Sequence, residues 1–269
     1  MRIRSLLALA FSTGLMTAVV LFPTSSGAKG DPCSPAEAEG RHVIEGTAED
    51  DLLVGTAGRD MILGLQGDDR LLGLDGNDVL CGGAGDDVLV SGADGSHYAS
   101  ELWGGSGDDR LIGGHDSESM RGGTGDDRLR GGPSADVLDG DAGNDVLSAM
   151  SGSDHLFSGQ GHDSFRGGTE RDVFYHQGHA AVIDLGRGFA RGQGHDRIRS
   201  IENAWGGSGD DRILGDSGNN RLSGYYGDDV LVGRGGDDVL VGWAGADTGW
   251  GGDGEDRCRD VTTATSCEA

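Results

Sequence analysis

Along most of the chain one aliphatic residue recurs every nine positions, and the residues between are mainly glycine or polar. In the nonamer GGAGDDVLV, residues 82–90, Leu89 is the eighth residue. In-phase nonamers run five times over 46–90, eight times over 104–175 and six times over 206–259. The eighth residue is Leu, Ile, Met or Phe in 17 of the 19 copies. Because side chains alternate along a strand, positions seven to nine predict a short strand with only the eighth side chain inward.

The glycines predict how these strands are joined. They dominate positions one, two and four, where they give the backbone the freedom, including positive φ, that a tight turn needs. Each nonamer is therefore one turn plus one strand, and two nonamers close one coil. Repeats n and n+2 then stack as parallel strands about 4.8 Å apart. This predicts an all-β fold, a right-handed parallel β-roll (β-solenoid) without substantial helix, whose thin core no single repeat forms alone.

The sixth residue of the nonamer is the candidate ligand position. It is Asp in 17 of 19 copies, with Glu118 and Asn220 as the exceptions. Stacking brings the carboxylates of repeats n and n+2 together, where they repel unless a cation lies between them. The chain has 21 Lys and Arg against 46 Asp and Glu, a formal net charge of −25. The predicted metal ligands are Asp51, Asp60, Asp69, Asp78, Asp87, Asp109, Asp127, Asp136, Asp145, Asp154, Asp163, Asp172, Asp211, Asp229, Asp238, Asp247 and Asp256.

Calcium is the cation that this ligand set favours. It takes about 6–8 oxygen ligands, and glycine turns leave carbonyl oxygens uncovered. Magnesium keeps its waters, and zinc prefers Cys and His, which are absent from the sixth position. Pairing each sixth residue with the one two repeats later within a run, as in Asp109/Asp127, gives at most 13 ions. The alternative is a disordered acidic chain, which we expect without metal, although the regular aliphatic position favours folding once metal is bound.

These nonamers resemble the calcium-binding repeat of RTX (hemolysin-type) proteins, G-G-x-G-x-D-x-U-x. The passage from Asp184-Leu185 to the SIEN of 200–203 is similar to a connector of such bacterial proteins, and the short cysteine-bearing ends resemble small secreted members. The resemblance implies a parallel β-roll, calcium-dependent folding and an extracellular site of action. It also implies that first-half turn carbonyls and sixth-position aspartates bind the metal. Four turns depart from the motif at the fourth position, with Glu49, Asp116, Ser134 and Glu170.

The pattern also divides the chain into segments. Arg2 and Arg4 precede an apolar run, and Ser26-Gly27-Ala28 offers small residues for cleavage, as in a secretory signal peptide. The predicted segments are a signal peptide at 1–28, a cysteine-bearing leader at 29–45, a repeat β-roll at 46–175 (irregular at 91–103), a connector with a degenerate repeat at 176–205, a second repeat β-roll at 206–259 and a tail at 260–269.

Two interruptions break the nine-residue frame. If residues 91–94 bulge out, the nonamer 95–103 restores the phase, with Leu102 inward and Ser100 at the ligand position. A metal site there is therefore doubtful. In the connector, residues 191–199 form a degenerate nonamer with Asp196 sixth and Ile198 eighth. We expect this connector to be a variant coil or a short excursion rather than a separate domain.

Four cysteines in a secreted chain suggest two disulfides, with three possible pairings. The repeats make about 12 coils, so the ends of the roll lie roughly 50 Å apart at strand spacing. A disulfide needs Cα atoms within about 7 Å. This favours Cys33–Cys81 and Cys258–Cys267, and four unpaired thiols are the alternative.

No catalytic motif stands out, and we predict that the chain is not an enzyme. His176 and His179 lack the glutamate of HExxH and are expected to be solvated loop residues. The GxGxxG match at 249–254 lacks a Rossmann strand and helix, and the single lysine, Lys29, excludes a Walker A motif. The negative charge disfavours nucleic acid and, after signal removal, membrane insertion. The functional alternatives are an accessory module separated from a catalytic domain and a surface adhesin; the protein or surface partner stays open.

Overall fold

The computed structural model describes residues 32–38, 40–92 and 99–268. Within these ranges the only helical element is a 3-10 turn at Pro35–Glu37, and 26 β-strands make up the rest of the regular structure. The predicted absence of substantial helix is thus confirmed for this part of the chain. No helix in the described ranges is long and apolar enough to cross a membrane. The predicted signal peptide lies outside the described residues.

The strands, numbered in chain order, form two sheets. The 12-stranded sheet contains β1 His42–Glu45, β3 Asp60–Gln66, β5 Val79–Ala84, β7 Glu101–Ser106, β9 Ser119–Thr124, β11 Val137–Ala142, β13 His155–Phe157, β15 Val173–Tyr175, β19 Asn203–Ser208, β21 Arg221–Tyr226, β23 Val239–Ala244 and β25 Arg257–Arg259, in that spatial order. The 14-stranded sheet contains β2 Leu52–Val54, β4 Arg70–Leu72, β6 Val88–Val90, β8 Arg110–Ile112, β10 Arg128–Gly132, β12 Val146–Ser151, β14 Ser164–Thr169, β16 Val182–Asp184, β17 Phe189–Arg191, β18 His195–Arg199, β20 Arg212–Leu214, β22 Val230–Gly235, β24 Thr248–Asp253 and β26 Thr263–Thr265.

The strand register confirms the parallel stacking of repeats n and n+2. Leu71 of β4 pairs with Leu89 of β6, 18 residues later, and Leu89 pairs with Leu111 of β8, 22 residues later. The four additional residues are those of the predicted frame slip, and Leu102 is fully buried as expected. One continuous core of eighth-position side chains runs between the sheets, and from Ile62 to Leu240 none of the aliphatic or aromatic residues at this position is more than 2% exposed.

The second position of the turn has a left-handed backbone in most repeats. Gly123 has φ +119°, and a Cβ added to it would collide with the carbonyl oxygen of Gly105 in the preceding coil. Other side chains adopt the same conformation at this position with φ between 65° and 90°, namely Leu65, Leu74, Asp141, Met150, Tyr225, Arg234 and Trp243. A left-handed non-glycine residue costs of order 1–3 kcal/mol, so the stacking of coils must impose this turn on them.

The connector adds three strands to the 14-stranded sheet, and one of them breaks the parallel pattern. β17 runs antiparallel to both β16 and β18. The reversal occurs at residues 185–188, where Gly188 has φ +71° and its amide donates to the carbonyl of Asp184 at 2.8 Å. Ile183, Ala190 and Ile198 continue the core without a gap. The predicted parallel β-roll is therefore confirmed, with β17 as a local antiparallel exception inside the connector.

Disulfides fasten both ends of the roll, and both favoured pairings are confirmed. Cys33 is bonded to Cys81 with a Cα–Cα distance of 5.9 Å, and Cys258 to Cys267 with one of 5.6 Å. The first disulfide holds the leader against Met61 and its apolar neighbours on the outer face of the 12-stranded sheet.

Farther along the same outer face, aromatic rings on successive strands contact each other. Phe157 stacks on Tyr175 with ring centroids 4.5 Å apart, and Tyr175 meets Trp205 at 4.6 Å. Tyr225 follows Trp205 at 5.5 Å, and Trp243 stacks on Tyr225 at 6.0 Å. The nine-residue pattern does not predict this row.

Candidate metal sites

The sixth-position carboxylates lie inside the turns at the two edges of the roll. Asp127 is fully buried, and its Oδ1 accepts a hydrogen bond of 2.8 Å from the backbone N–H of Asp109, one coil earlier. The N–H of Asp127 donates in turn to Oδ1 of Asp145 at 2.8 Å. The same bond, from the residue one coil earlier, reaches Asp69, Asp78, Asp87, Asp109, Asp136, Asp145, Asp154, Asp163, Asp172, Asp211, Asp229, Asp238, Asp247 and Asp256. The predicted ligands therefore stand in register along both edges.

The second carboxylate oxygen of most of these residues is buried without a hydrogen-bond partner among the described residues. This holds for Oδ2 of Asp69, Asp87, Asp109, Asp127, Asp136, Asp145, Asp154, Asp163, Asp172, Asp211, Asp229, Asp238, Asp247 and Asp256, and for Oε2 of Glu118. A buried polar atom without a partner is strongly destabilising, and more so when it carries charge. A row of them indicates that a positive group belongs beside each one.

Most of these oxygens face a small cradle that a side chain would fill. In the turns of Asp154 and Asp163 the corresponding residues are Ala149 and Ser158. A Cβ added to Gly104 would fall against Oδ2 of Asp109 and the carbonyl oxygen of Gly122, closer than real Cβ atoms approach other atoms. Gly104 does not have a positive φ. A glycine is therefore needed here for the space beside Asp109 Oδ2, and not for the backbone conformation. The cradle thus brings together one charged oxygen and one carbonyl oxygen from adjacent coils.

Burial raises the pKa of several of these carboxyl groups, among them Asp109, Asp127 and Asp145. Desolvation raises the pKa of Asp109 and of Asp127 to about 7. The hydrogen bond from the preceding coil lowers these pKa values, and neighbouring carboxylates raise them further. The same causes raise the pKa of Asp145 to about 8. The pKa of Glu118 rises to about 8, through desolvation and the charge of Asp136. The metal-free roll therefore resists carrying these charges, as a site built for a cation would.

The donor set fits calcium. The cradle supplies carboxylate and carbonyl oxygens, the hard ligands that calcium takes in flexible number. Within the described ranges, no three acidic, histidine or cysteine side chains converge on one point. A cation here would consequently depend on backbone carbonyls, such as that of Gly122, together with carboxylates from stacked turns. Calcium accepts such a mixture, whereas zinc favours a cluster of side chains.

The first two turns are built differently, although Asp51 and Asp60 are among the predicted ligands. Oδ2 of Asp60 accepts the backbone N–H of Thr56 at 2.6 Å and its hydroxyl at 3.0 Å. Oδ2 of Asp51 likewise accepts the N–H and the hydroxyl of Thr47, at 2.7 and 2.9 Å. Neither threonine is left-handed, unlike most other side chains at the second position. Hydrogen bonds within the turn therefore already satisfy the second oxygens of these two carboxylates without a cation.

The carboxylate rows also continue across both interruptions. The N–H of Asp87 donates to Asp109 at 2.8 Å over the frame slip, so a pair left out of the count of 13 has the same geometry as the others. Ser100 replaces a carboxylate, and its Oγ accepts the N–H of Asp78 at 3.1 Å. In the connector, Asp196 accepts the N–H of Asp163 at 3.1 Å, as its position in the degenerate nonamer predicts.

Glu202 is the acidic residue that sequence reasoning missed. Its Oε2 accepts the N–H of Asp172 at 2.9 Å, the relation that the sixth-position aspartates have elsewhere. The signal for it was Ala204, two residues later, which is fully buried at the eighth-position level of β19. Because alanine is smaller than the Leu, Ile, Met or Phe found at most other eighth positions, the pattern did not mark Ala204 as one of them.

The expectation that His176 and His179 are solvated loop residues is wrong for His176. His179 is exposed, but the His176 residue is only 3% exposed. Its Nδ1 lies 3.2 Å from the hydroxyl of Ser158 and its Nε2 lies 3.1 Å from the carbonyl oxygen of His179. Burial lowers the pKa of His176, so the ring is a neutral, hydrogen-bonded part of the fold.

Replacing Gly104 with alanine tests the cradle without removing any oxygen. We expect Gly104→Ala to weaken or abolish calcium binding at the Asp109 turn, because the new methyl group occupies the space beside Asp109 Oδ2. Gly58→Ala is the control, since its Cβ would meet only the Thr56 hydroxyl, at 3.5 Å. Calcium titration followed by calorimetry measures both. Equal ion counts and affinities in the two variants would show that the cradle holds no ion.

Comparison with known families agrees with this geometry. The family model described as RTX calcium-binding nonapeptide repeat (4 copies) matches residues 45–80, 54–89, 63–97, 98–117, 116–147, 139–174, 205–240 and 223–258. These matches cover more than half of the chain and leave out residues 175–204 of the connector. No curated protein matches the chain significantly.

Proposed function

Because the chain belongs to the family of RTX calcium-binding nonapeptide-repeat proteins, we propose that it is a secreted protein that folds as it binds several calcium ions. Rolls of this family are typically non-catalytic, and we assign no reaction to this one. The proposed ligands are the sixth-position carboxylates together with carbonyl oxygens of the glycine turns.

One observation carries this proposal: the row of buried carboxylate oxygens without hydrogen-bond partners in the described turns. An isolated buried charge is so unfavourable that it becomes neutral or acquires a counter-charge. Calcium supplies that charge in a geometry of oxygen ligands that the stacked turns already approach. Asp51 and Asp60 are the weakest of the proposed ligands, because their second oxygens already bind Thr47 and Thr56.

Two features of the sequence support the proposed secretion. The basic and apolar start is typical of a signal peptide, and the two disulfides suit an oxidising compartment. Extracellular calcium sites typically bind at about 10⁻⁴–10⁻³ M, so the chain would stay metal-free in the cytosol and load outside the cell.

The ligand assignment is tested by a matched pair of substitutions at adjacent residues. Asp127→Asn and Asp126→Asn each remove one negative charge, but Asp127 is buried between two coils and Asp126 is exposed. We expect Asp127→Asn to bind two fewer calcium ions, because Asp127 is bonded to both Asp109 and Asp145. Asp126→Asn should bind the full number, since the amide oxygen can still accept the N–H of Asn144.

Equilibrium dialysis against calcium, with the circular dichroism recorded on the same samples, measures the number of ions and the fold together. Equal loss of calcium in the two variants would show that the lost negative charge alone lowers calcium binding, and it would contradict the assignment of Asp127 as a ligand. A wild-type protein that binds no calcium at millimolar concentration would overturn the proposed function itself.

A further inference from the structure

We propose that the connector completes a calcium site of its own, formed by Asp172, the carbonyl oxygen of Ser200 and the carboxylate of Glu202. The matched repeats end at residue 174 and resume at 205, so this site lies partly outside the repeats. The inference rests on the proposed calcium binding and extends it to residues that the nonapeptide motif does not include.

The first step is the position of the segment 200–202 in the stack. It joins β18 of one sheet to β19 of the other, as residues 170–172 join β14 to β15 one coil earlier. β14 pairs with β18 through Phe165 and Ile198, and β15 pairs with β19 through Phe174 and Ala204. The segment 200–202 therefore lies directly on the turn that contains Asp172.

The second step is the geometry around Asp172. This residue is fully buried, and its Oδ2 has no hydrogen-bond partner in the described part of the chain. A Cβ added to Gly167 would fall against that oxygen and against the carbonyl oxygen of Ser200. This cradle is the counterpart of the one at Gly104, with Ser200 in the place of Gly122.

The third step is the carboxylate of the next coil. In a regular site it belongs to a sixth-position aspartate, as when Asp172 accepts the N–H of Asp154 at 2.9 Å. At the connector the acceptor is Glu202, also at 2.9 Å from the N–H of Asp172. The turn is shortened, because only Ile201 separates Ser200 from Glu202, whereas four residues separate positions one and six of a nonamer. The additional methylene of glutamate lets the carboxylate reach the same amide from this shorter turn.

An ion at this site would link the two repeat runs. Asp172 belongs to the last nonamer of 104–175, and Glu202 immediately precedes the strand that opens 206–259. Calcium bound between them would therefore couple the folding of the second run to that of the first. Without an ion, the two runs are joined by backbone pairing, the core, the ring contact between Tyr175 and Trp205 and the hydrogen bond from the Asn203 side chain to the carbonyl of Asp172.

The test compares Glu202→Gln with Glu255→Gln. Both remove one carboxylate, and Glu255 is exposed at the fifth position of its turn. Equilibrium dialysis against calcium should give one ion fewer for Glu202→Gln and the wild-type number for Glu255→Gln. Hydrogen exchange at subsaturating calcium should show faster exchange in β19 and β20 for Glu202→Gln alone. Glu202→Asp, which keeps the charge on a shorter side chain, should retain the ion with an affinity lower by at least about tenfold.

The outcomes separate this site from the proposed function. A wild-type protein without bound calcium would defeat the proposed function, and the connector site with it. If wild type binds calcium and both Glu202 variants bind the same number with the same affinity, only the connector site is refuted. If Glu202→Gln does not fold in saturating calcium, the affinity of Glu202→Asp decides: a wild-type value refutes the site and a weakened one supports it.

Discussion

Withdrawal of calcium at pH 8 should abolish the β signal of the disulfide-intact protein and expand its hydrodynamic radius, and millimolar calcium should restore both. The buried carboxylates are the reason. In the metal-free roll each sixth-position charge would lie in a turn beside carboxylates of the same sign, as Asp127 does between Asp109 and Asp145. Removal of the predicted signal peptide, with Arg2 and Arg4, leaves a net charge two units more negative than −25.

The core cannot compensate for this repulsion. Each nonamer buries one large apolar side chain, such as Leu111 or Leu129, which contributes roughly 1.5–3 kcal/mol. Ordering nine residues, several of them glycine, costs about 1–2 kcal/mol per residue in backbone entropy alone. We therefore expect calcium binding to supply the missing free energy of folding by linkage.

Far-UV circular dichroism and dynamic light scattering in excess chelator measure this effect. Magnesium at the same concentration is the control for charge screening, and it should restore much less of the β signal than calcium because it keeps its waters. A chelated protein that retains its full β content and its compact radius would refute calcium-dependent folding, although it would leave calcium binding intact.

The regular part of this fold was predictable because one rule governs it. The nine-residue spacing of leucines such as Leu89 fixed the coil length, and the frame slip of four residues placed Leu102 in the core as predicted. The cysteine pairs followed from distance alone. The sequence pattern also marked each sixth-position aspartate, whose burial and register the structure supplies.

What the sequence did not reveal depends on side chains that change role with their local turn. Thr56 looks like an ordinary substitution for glycine, yet it closes a hydrogen bond onto Asp60. Glu202 lies nine residues before Asp211, but its turn is shorter than that of a regular repeat and the residue facing the core is alanine. The aromatic row from Phe157 to Trp243 draws on both the ninth and the second positions, neither of which has a fixed residue type. Pairwise contacts between coils, rather than the repeat itself, determine these features.

Acidification should replace calcium in part, so that metal-free protein regains β structure as the pH falls from 8. Burial raises the pKa of Asp172 and Asp211 to about 7 and that of Asp229 to about 6 in the roll, whereas an unfolded chain has Asp pKa values of about 3.9. The folded form therefore binds more protons than the unfolded form between these values. Its stability is greatest below pH about 4 and is lost as the pH rises through 6 to 8.

Circular dichroism in calcium-depleted buffer measures the recovery, at a low protein concentration that limits association near neutral charge. The same titration with saturating calcium is the control, and its β signal should already be complete at pH 8. A metal-free β signal that is equal at pH 8 and pH 5, or larger at pH 8, would show that buried carboxylate charge is not what keeps the roll unfolded.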